Sequence, residues 1–276
     1  MNLIFTKLEG NGNDFILIDE YAGLVIPDEM KGRFAALYCD RHCGIGGDGI
    51  LFMSRCEDES GADITMRLFQ PDESEAEMCG NGIRCLVRYA YDREYIGPTC
   101  VVNTMSGLIP VSVRYDEEGI FLIDVTMPPA VFIRAGIPAT GTGEYHESIG
   151  GYEVFAVNTG VPHAVVFVDD IWAIDIGQVA PPIRAHPSFS QGANVNFAAC
   201  TGDNTFAIRT FERGVEAETL SCGTGSTAVA AVARHLKKAG DIVYIETVGG
   251  PLLITFTDVT RMEGPAEIVF EGYITI

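Results

Sequence analysis

At 276 residues, 47% apolar and 20% charged, the chain has enough length for one large domain or two ordinary ones around a substantial core, and its composition argues against disorder. A net charge of −20 argues against nucleic acid as a partner, because phosphate binding needs a basic surface. No apolar run reaches the roughly 18 residues of a membrane helix, and the start MNLIFTKLEGNGNDF lacks a basic region followed by an apolar one and a cleavage site, so a cytoplasmic protein with reduced thiols and no membrane partner is expected.

Short runs rich in Val, Ile and Phe, bounded by Gly, Pro, Asn and Asp, predict strands, and they dominate. In chain order, Gly12-Asn13-Asp14 leads into the apolar strand Phe15–Ile18 and then Asp19. A helix is predicted from Asp28 through EMKGRFAALYC. GIGGDG at Gly44–Gly49 precedes a strand, Ile50–Met53, so it reads as a turn near a ligand rather than a nucleotide loop. Then comes EAEMCGNGIRC, with a helix from Asn81 to about Arg93 carrying Ile83, Leu86, Val87 and Ala90 on one face. The stretch CVVNTMSGLIPVSV follows as a strand, turn and strand. Between Glu117 and Pro128, DEEG makes a turn and MPP breaks regular structure.

Beyond that joint the features return in the same order. Gly160-Val161-Pro162-His163 leads into Ala164–Val168 and then Asp169. EAETLSCGTGSTAVAAV repeats a Glu-Ala-Glu, a cysteine and Gly-x-Gly before a helix. That helix, from Thr224 to about Lys238, is small and apolar on all sides, so it should be buried. IVYIETVGGPLLITF gives the second hairpin, and both hairpins keep Thr-x-x-Gly, at Thr104–Gly107 and Thr247–Gly250. The expected fold is α+β, two pseudo-symmetric lobes with a cleft between them, each with strands wrapped around a central helix. One lobe covers 1–118, joined by the last strand at about 266–276, and the other covers 119–265.

A helix N-terminus exposes backbone N–H groups and partial positive charge. It favours a thiolate placed there and can bind a carboxylate. Glycines let the backbone approach that anion closely. Two such ends facing each other could grip one carboxylate through Gly80-Asn81 and Gly223-Thr224. Cys79 and Cys222 would then lie on opposite faces of the adjacent carbon. One thiolate removes a proton from one face and the other thiol delivers one to the opposite face, as in a two-base racemase or epimerase.

Cys39, Cys56, Cys85, Cys100 and Cys200 read instead as small core residues. Cys39 and Cys43 are close, but no second Cys or His pair follows, so no metal is expected. Of the lysines, Lys237 and Lys238 are adjacent near a helix end and read as exposed, and no lysine, dinucleotide or Walker motif points to a cofactor.

The chain resembles the diaminopimelate epimerases over essentially its full length. The resemblance rests on KLEGNGNDFILID at Lys7, GIGGDGIL at Gly44, SEAEMCGNGIRC at Ser74, GVPHAV at Gly160, NVNF at Asn194 and FERGVEAETLSCGTGSTA at Phe211. It implies cofactor-independent conversion of LL- to meso-diaminopimelate, on the lysine and peptidoglycan pathway, by the pair Cys79 and Cys222. It implies substrate binding by Asn13, Asn194, Glu212 and Arg213 beside the four helix-terminal residues, tuning of the thiols by His163 and Glu212, and a homodimer. A structural histidine and a surface carboxylate are the alternative readings of His163 and Glu212.

The pattern also departs from the family. Gln70 stands where a substrate-binding Asn is usual, and Glu73 replaces a turn glycine. Gly49 falls where some members carry a substrate-facing Gln, and Val161 where many carry Asn. A racemase of another amino acid on the same scaffold is therefore a second expectation, and a thiol redox or zinc-binding protein a distant third.

Overall fold

The computed structural model describes residues 2–56 and 61–275. The chain divides into two compact units, Met1–Thr126 with Glu263–Ile276, and Met127–Met262.

In the first unit, β1 (Asn2–Gly10) and β2 (Asn13–Glu20) form an antiparallel hairpin. A 3₁₀ turn at Asp28–Met30 and helix α1 (Lys31–Tyr38) lead to β3 (Gly49–Arg55), which lies parallel to β2. β4 (Ile64–Phe69) returns antiparallel to β3, and the two-residue β5 (Glu75–Ala76) pairs with the end of β4. Helix α2 (Gly80–Asp92) follows. β6 (Thr99–Thr104) pairs parallel with β4, and β7 (Gly107–Tyr115) and β8 (Phe121–Met127) complete an antiparallel meander.

The second unit repeats this order. β9 (His146–Ile149) pairs antiparallel with β10 (Tyr152–Asn158), which forms a hairpin with β11 (Pro162–Phe167). A 3₁₀ turn at Ile171–Ala173 and α3 (Ile176–Arg184) lead to β12 (Asn194–Gly202), parallel to β11. β13 (Thr205–Glu212) is antiparallel to β12, and β14 (Ala217–Thr219) pairs with its end. After α4 (Gly223–His235), β15 (Ile242–Thr247) pairs parallel with β13 and antiparallel with β16 (Gly250–Phe256), before β17 (Thr260–Pro265). The last strand, β18 (Glu267–Thr275), pairs with β1 as β9 pairs with β10.

Local details repeat as well. Thr104 Oγ1 donates to the Gly107 carbonyl at 2.9 Å and Thr247 Oγ1 to that of Gly250 at 2.7 Å. Both glycines have positive φ, 107° and 129°, which a side chain would resist. Helices α2 and α4 also stop alike. Glu94 and Lys237 both turn left-handed at φ 58°, and the next N–H reaches back to Ala90 O at 2.9 Å or Ala233 O at 2.8 Å, satisfying a carbonyl that the helix end leaves without an intrahelical partner.

Each central helix is buried for a different reason of composition. α2 buries Ile83, Cys85, Leu86, Val87 and Ala90 completely, together with Arg84. α4 buries every residue from Gly223 to Ala233 except Thr224, and its small side chains let strands approach on all sides. Separate apolar clusters form around Phe5, Ile16, Phe34 and Phe52 in the first unit and around Val154, Ile183, Val195 and Phe197 in the second. Burial of each such side chain contributes roughly 1.5–3 kcal/mol.

Three sequence expectations need correction. α3 was not foreseen, because Pro181 and Pro182 lie inside it and read as breakers. Strand β8, Phe121–Met127, fills most of the stretch Glu117–Pro128 expected to join the halves, because its alternating buried residues pack against β7. Cys200 is exposed at the end of β12, and Cys56 is half-buried, whereas Cys39, Cys85 and Cys100 are core residues. Burial pushes the thiols of Cys39 and Cys100 up to about 12 and raises that of Cys85 further. Among the described residues no helix is long and apolar enough to cross a membrane.

Candidate active site

Cys79 is the N-cap of α2, with extended backbone at φ −144°, ψ 112°. Its carbonyl accepts the first helical bond, from Ile83 N at 2.8 Å. Its sulfur accepts from Gly82 N at 3.4 Å. A Cβ on Gly82 would lie 3.3 Å from Leu51 Cδ2 and 3.5 Å from Cys79 Cβ, so glycine keeps this close cap open. Asn13, at the start of β2, stands over the same turn. Its Oδ1 is 3.8 Å from Cys79 Sγ and accepts from Asn81 Nδ2 at 3.3 Å. Asp48, in the glycine-rich turn before β3, holds the other side of that amide by accepting from Asn13 Nδ2 at 2.6 Å. Asp48 is also bonded by Arg41, which bridges to Asp14. Burial alone would raise Asp14, but bonds from Arg41 and Lys7 outweigh it and hold its carboxyl at about 2.

Beneath the turn, Arg84 is fully buried. Its Nη2 donates to Asn11 Oδ1 at 2.5 Å and its Nε to the Pro265 carbonyl at 3.1 Å. Burial pulls its guanidinium down to about 10, still charged at neutral pH. Arg84 thus ties α2 to the β1–β2 turn that carries Asn13.

In the second unit Cys222 is the N-cap of α4 at φ −129°, ψ 109°, nearly the backbone geometry of Cys79. Its carbonyl accepts from Ser226 N at 2.8 Å, and its buried sulfur lies 3.4 Å from Thr224 Oγ1. Thr159 Oγ1 donates to the Thr224 carbonyl at 2.8 Å and fastens this turn to the end of β10. A Cβ on Gly225 would run into Asn196 Oδ1, so the first turn of α4 rests directly on that amide. Asn196 Nδ2 lies 3.1 Å from His163 Nδ1.

The β13–β14 hairpin supplies Glu212 and Arg213. Thr219 Oγ1 donates to Glu212 Oε2 at 3.0 Å. Arg213 is anchored through its N–H to Asn194 Oδ1 at 2.8 Å and through Nη1 to the Gln191 carbonyl at 3.0 Å. Asn194 also donates to the Pro162 carbonyl at 3.2 Å, so both ends of its amide hold backbone.

The structure brings most of the sequence-predicted residues together within their units, with Gln70 apart. Asn13, Cys79, Gly80 and Asn81 gather at the start of α2. Cys222, Gly223 and Thr224 lie at the start of α4. His163 and Asn194 sit side by side on the parallel pair β11–β12, near Arg213. Gln70 is exposed in the β4–β5 turn, where its Oε1 accepts from Ser74 Oγ at 3.0 Å and Glu73 takes the turn at φ 73°. Gly49 is closed in by packing, since a Cβ there would come within 2.7 Å of Leu68 Cδ1. Sequence reasoning missed Asn196, Thr159, Asp48 and Arg84. Two signals were available: Asp48 lies in the glycine-rich turn expected near a ligand, and Asn196 is a second amide two residues from Asn194 in the buried part of its strand. Among the described residues, no group of three or more His, Cys, Asp or Glu side chains is placed to hold a metal.

A family profile described as diaminopimelate epimerase matches residues 5–133 and 155–269. The chain belongs to the diaminopimelate epimerase family. A relative named diaminopimelate epimerase from Methanothrix thermoacetophila is 53% identical over 99% of this chain and 96% of its own length. Another with that name, from Methanocella arvoryzae, is 50% identical over 99% and 96%. The fold is also that of a phenazine biosynthesis protein of the PhzF family from Bacillus anthracis, with a TM-score of 0.75 at 18% identity and complete coverage of both chains.

Proposed function

We propose that this chain converts LL-diaminopimelate to meso-diaminopimelate in lysine biosynthesis without a cofactor, with Cys79 and Cys222 as its two proton carriers. One observation carries the reading. Each unit caps its central helix with a cysteine, in the same backbone conformation and at the same place in the same strand order.

The chemistry follows from that repetition. One sulfur, as thiolate, takes the α-proton, and the electron pair of the broken C–H bond passes into the adjacent carboxylate. The backbone N–H groups at Gly80-Asn81 and Gly223-Thr224 stabilise the charge that builds there. The second sulfur, as thiol, gives its proton to the opposite face of the carbon. The two sulfurs end with their protonation states exchanged, so the reverse reaction uses the same groups. Asn13, Gln70, Asn194, Glu212 and Arg213 bind the rest of the substrate, and His163 and Glu212 set the thiols.

Proton exchange in heavy water tests this. Cys79→Ala and Cys222→Ala should each lose inversion, and Cys79→Ser should retain at most one-sided exchange of the α-proton. Full turnover by either alanine variant would refute the two-carrier mechanism.

A second reading keeps the reaction and changes the substrate. It is favoured by Gly49, where a Cβ would meet Leu68 Cδ1 at 2.7 Å and the Phe69 carbonyl at 3.1 Å, and by the exposure of Gln70. Turnover of a single-centre amino acid in preference to LL-diaminopimelate would select it. We further propose a cytoplasmic homodimer. Ile4 and Tyr273, directly opposite each other on β1 and β18 and about two-thirds exposed, offer an apolar face for a second copy, which sedimentation can test.

A further inference from the structure

His163 and Asn196 are both completely buried. The Asn196 amide makes three bonds. Nδ2 donates to the Ala164 carbonyl at 3.0 Å and faces His163 Nδ1 at 3.1 Å, while Oδ1 accepts from Thr210 Oγ1 at 3.0 Å. The orientation of an amide is a question of its partners, and here one partner decides it. A backbone carbonyl can only accept, so the NH₂ end must face Ala164. The same NH₂ end then faces His163, and Nδ1 must present a lone pair. A neutral imidazole carries one N–H, and it is therefore on Nε2.

The surroundings keep the ring neutral. Burial lowers its basicity, and the Arg213 guanidinium adds to that, leaving His163 at about 3. Nε2 is itself buried and has no hydrogen-bond partner among the described residues. A buried N–H donor of this kind is costly unless it serves an acceptor.

We propose that Asn196 is a positioning residue that fixes His163 as the Nε2–H tautomer, making this histidine a neutral hydrogen-bond donor toward an anionic oxygen or sulfur rather than a proton acceptor. This deepens the proposed function and rests on it for the identity of the anion, either the substrate carboxylate or the Cys222 thiolate. Asn196 also supports the first turn of α4 through Gly225, so one amide sets both the ring and the helix end that carries Cys222.

The test is the ¹⁵N NMR spectrum of the full-length protein labelled at its five histidines, with His163 assigned by His163→Gln. The expected spectrum has a low-field, lone-pair-bearing Nδ1 and a high-field, protonated Nε2 at neutral pH. In Asn196→Asp the carboxylate should draw the proton to Nδ1 and reverse the two resonances. In Asn196→Ala, which keeps an apolar strand position and guards against misfolding of the aspartate variant, both should move toward averaged values. kcat should fall about 10²-fold in the variants, the size of effect found when a fixed donor to developing charge is lost. A carboxylate inhibitor that shifts the Nε2–H resonance identifies the substrate oxygen as acceptor, and a shift on Cys222→Ala identifies the thiolate. A wild-type ring protonated on Nδ1, or tautomers unaltered in both variants, would overturn the proposal. The spectrum is read without turnover, so an inactive protein with the expected resonances would count against the substrate assignment alone.

Discussion

Replacing His163 with glutamine should remove much of the acid sensitivity of the second unit. In the folded chain this ring stays neutral down to about pH 3, because it is buried and Arg213 opposes its charge. In the unfolded chain it takes up a proton below its ordinary value of about 6.5. Between those limits the unfolded state binds the extra proton, so stability is lost as pH falls from about 6.5 toward 3. The slope is about 1.4 kcal/mol per pH unit, which gives about 2 kcal/mol between pH 7 and pH 5. Urea unfolding at the two pH values, followed by the fluorescence of Trp172, measures it. Trp172 is the only tryptophan and lies in the second unit, so it reports on the unit that holds His163. Carboxylates titrate in both proteins and cancel in the difference. His163→Gln should lose about 2 kcal/mol less than the wild type over this interval. Equal losses in both would show that the ring is already protonated, or already exposed, in the native state.

Gly225→Ala places a methyl group on the Asn196 amide and should cost about 1–3 kcal/mol in unfolding, with a larger proportional loss of kcat than Gly97→Ala, where nothing is near. Arg84→Ala deletes a fully buried side chain and leaves the Asn11 oxygen and the Pro265 carbonyl without its bonds, so a loss of about 3 kcal/mol or more is expected in thermal unfolding. Asp48→Ala frees the Asn13 amide and should lower kcat/KM about tenfold, a loss worth about 1.4 kcal/mol. Stability should change less, because Asp48 is exposed; an unchanged kcat/KM would remove Asn13 from the site.

The duplication was legible because its marks are local. Thr-x-x-Gly answers to a positive-φ turn that favours glycine, and the second glycine of each Gly-x-Gly to a tight contact at the helix start; with the cysteine they recur in order. α3 was not legible, since Pro181 and Pro182 lie past its first turn, where each removes a helical donor, and the packing of α3 on strands β12 and β13 that offsets this is not visible in sequence pattern. Cys200 misled for a related reason. It follows the buried run Val195–Ala199, but β12 leaves the core at that residue. Asn196, Thr159 and Asp48 act on partners roughly 30 or more positions away. A single sequence carries the residue type in such cases, while the partner is known only once the strands are paired.

The pairing of β1 with β18, from Asn2 opposite Thr275 to Glu9 opposite Glu267, fixes an order of events during synthesis. The whole of Met127–Met262 emerges from the ribosome before the strand that completes the first unit. Arg84 waits on the Pro265 carbonyl and Arg88 on that of Ala266, so the earlier helix finds its last backbone partners only when the final residues are made. The half begun first is finished last, and once Met262 has emerged the second unit is complete while the first still has an open edge at β1.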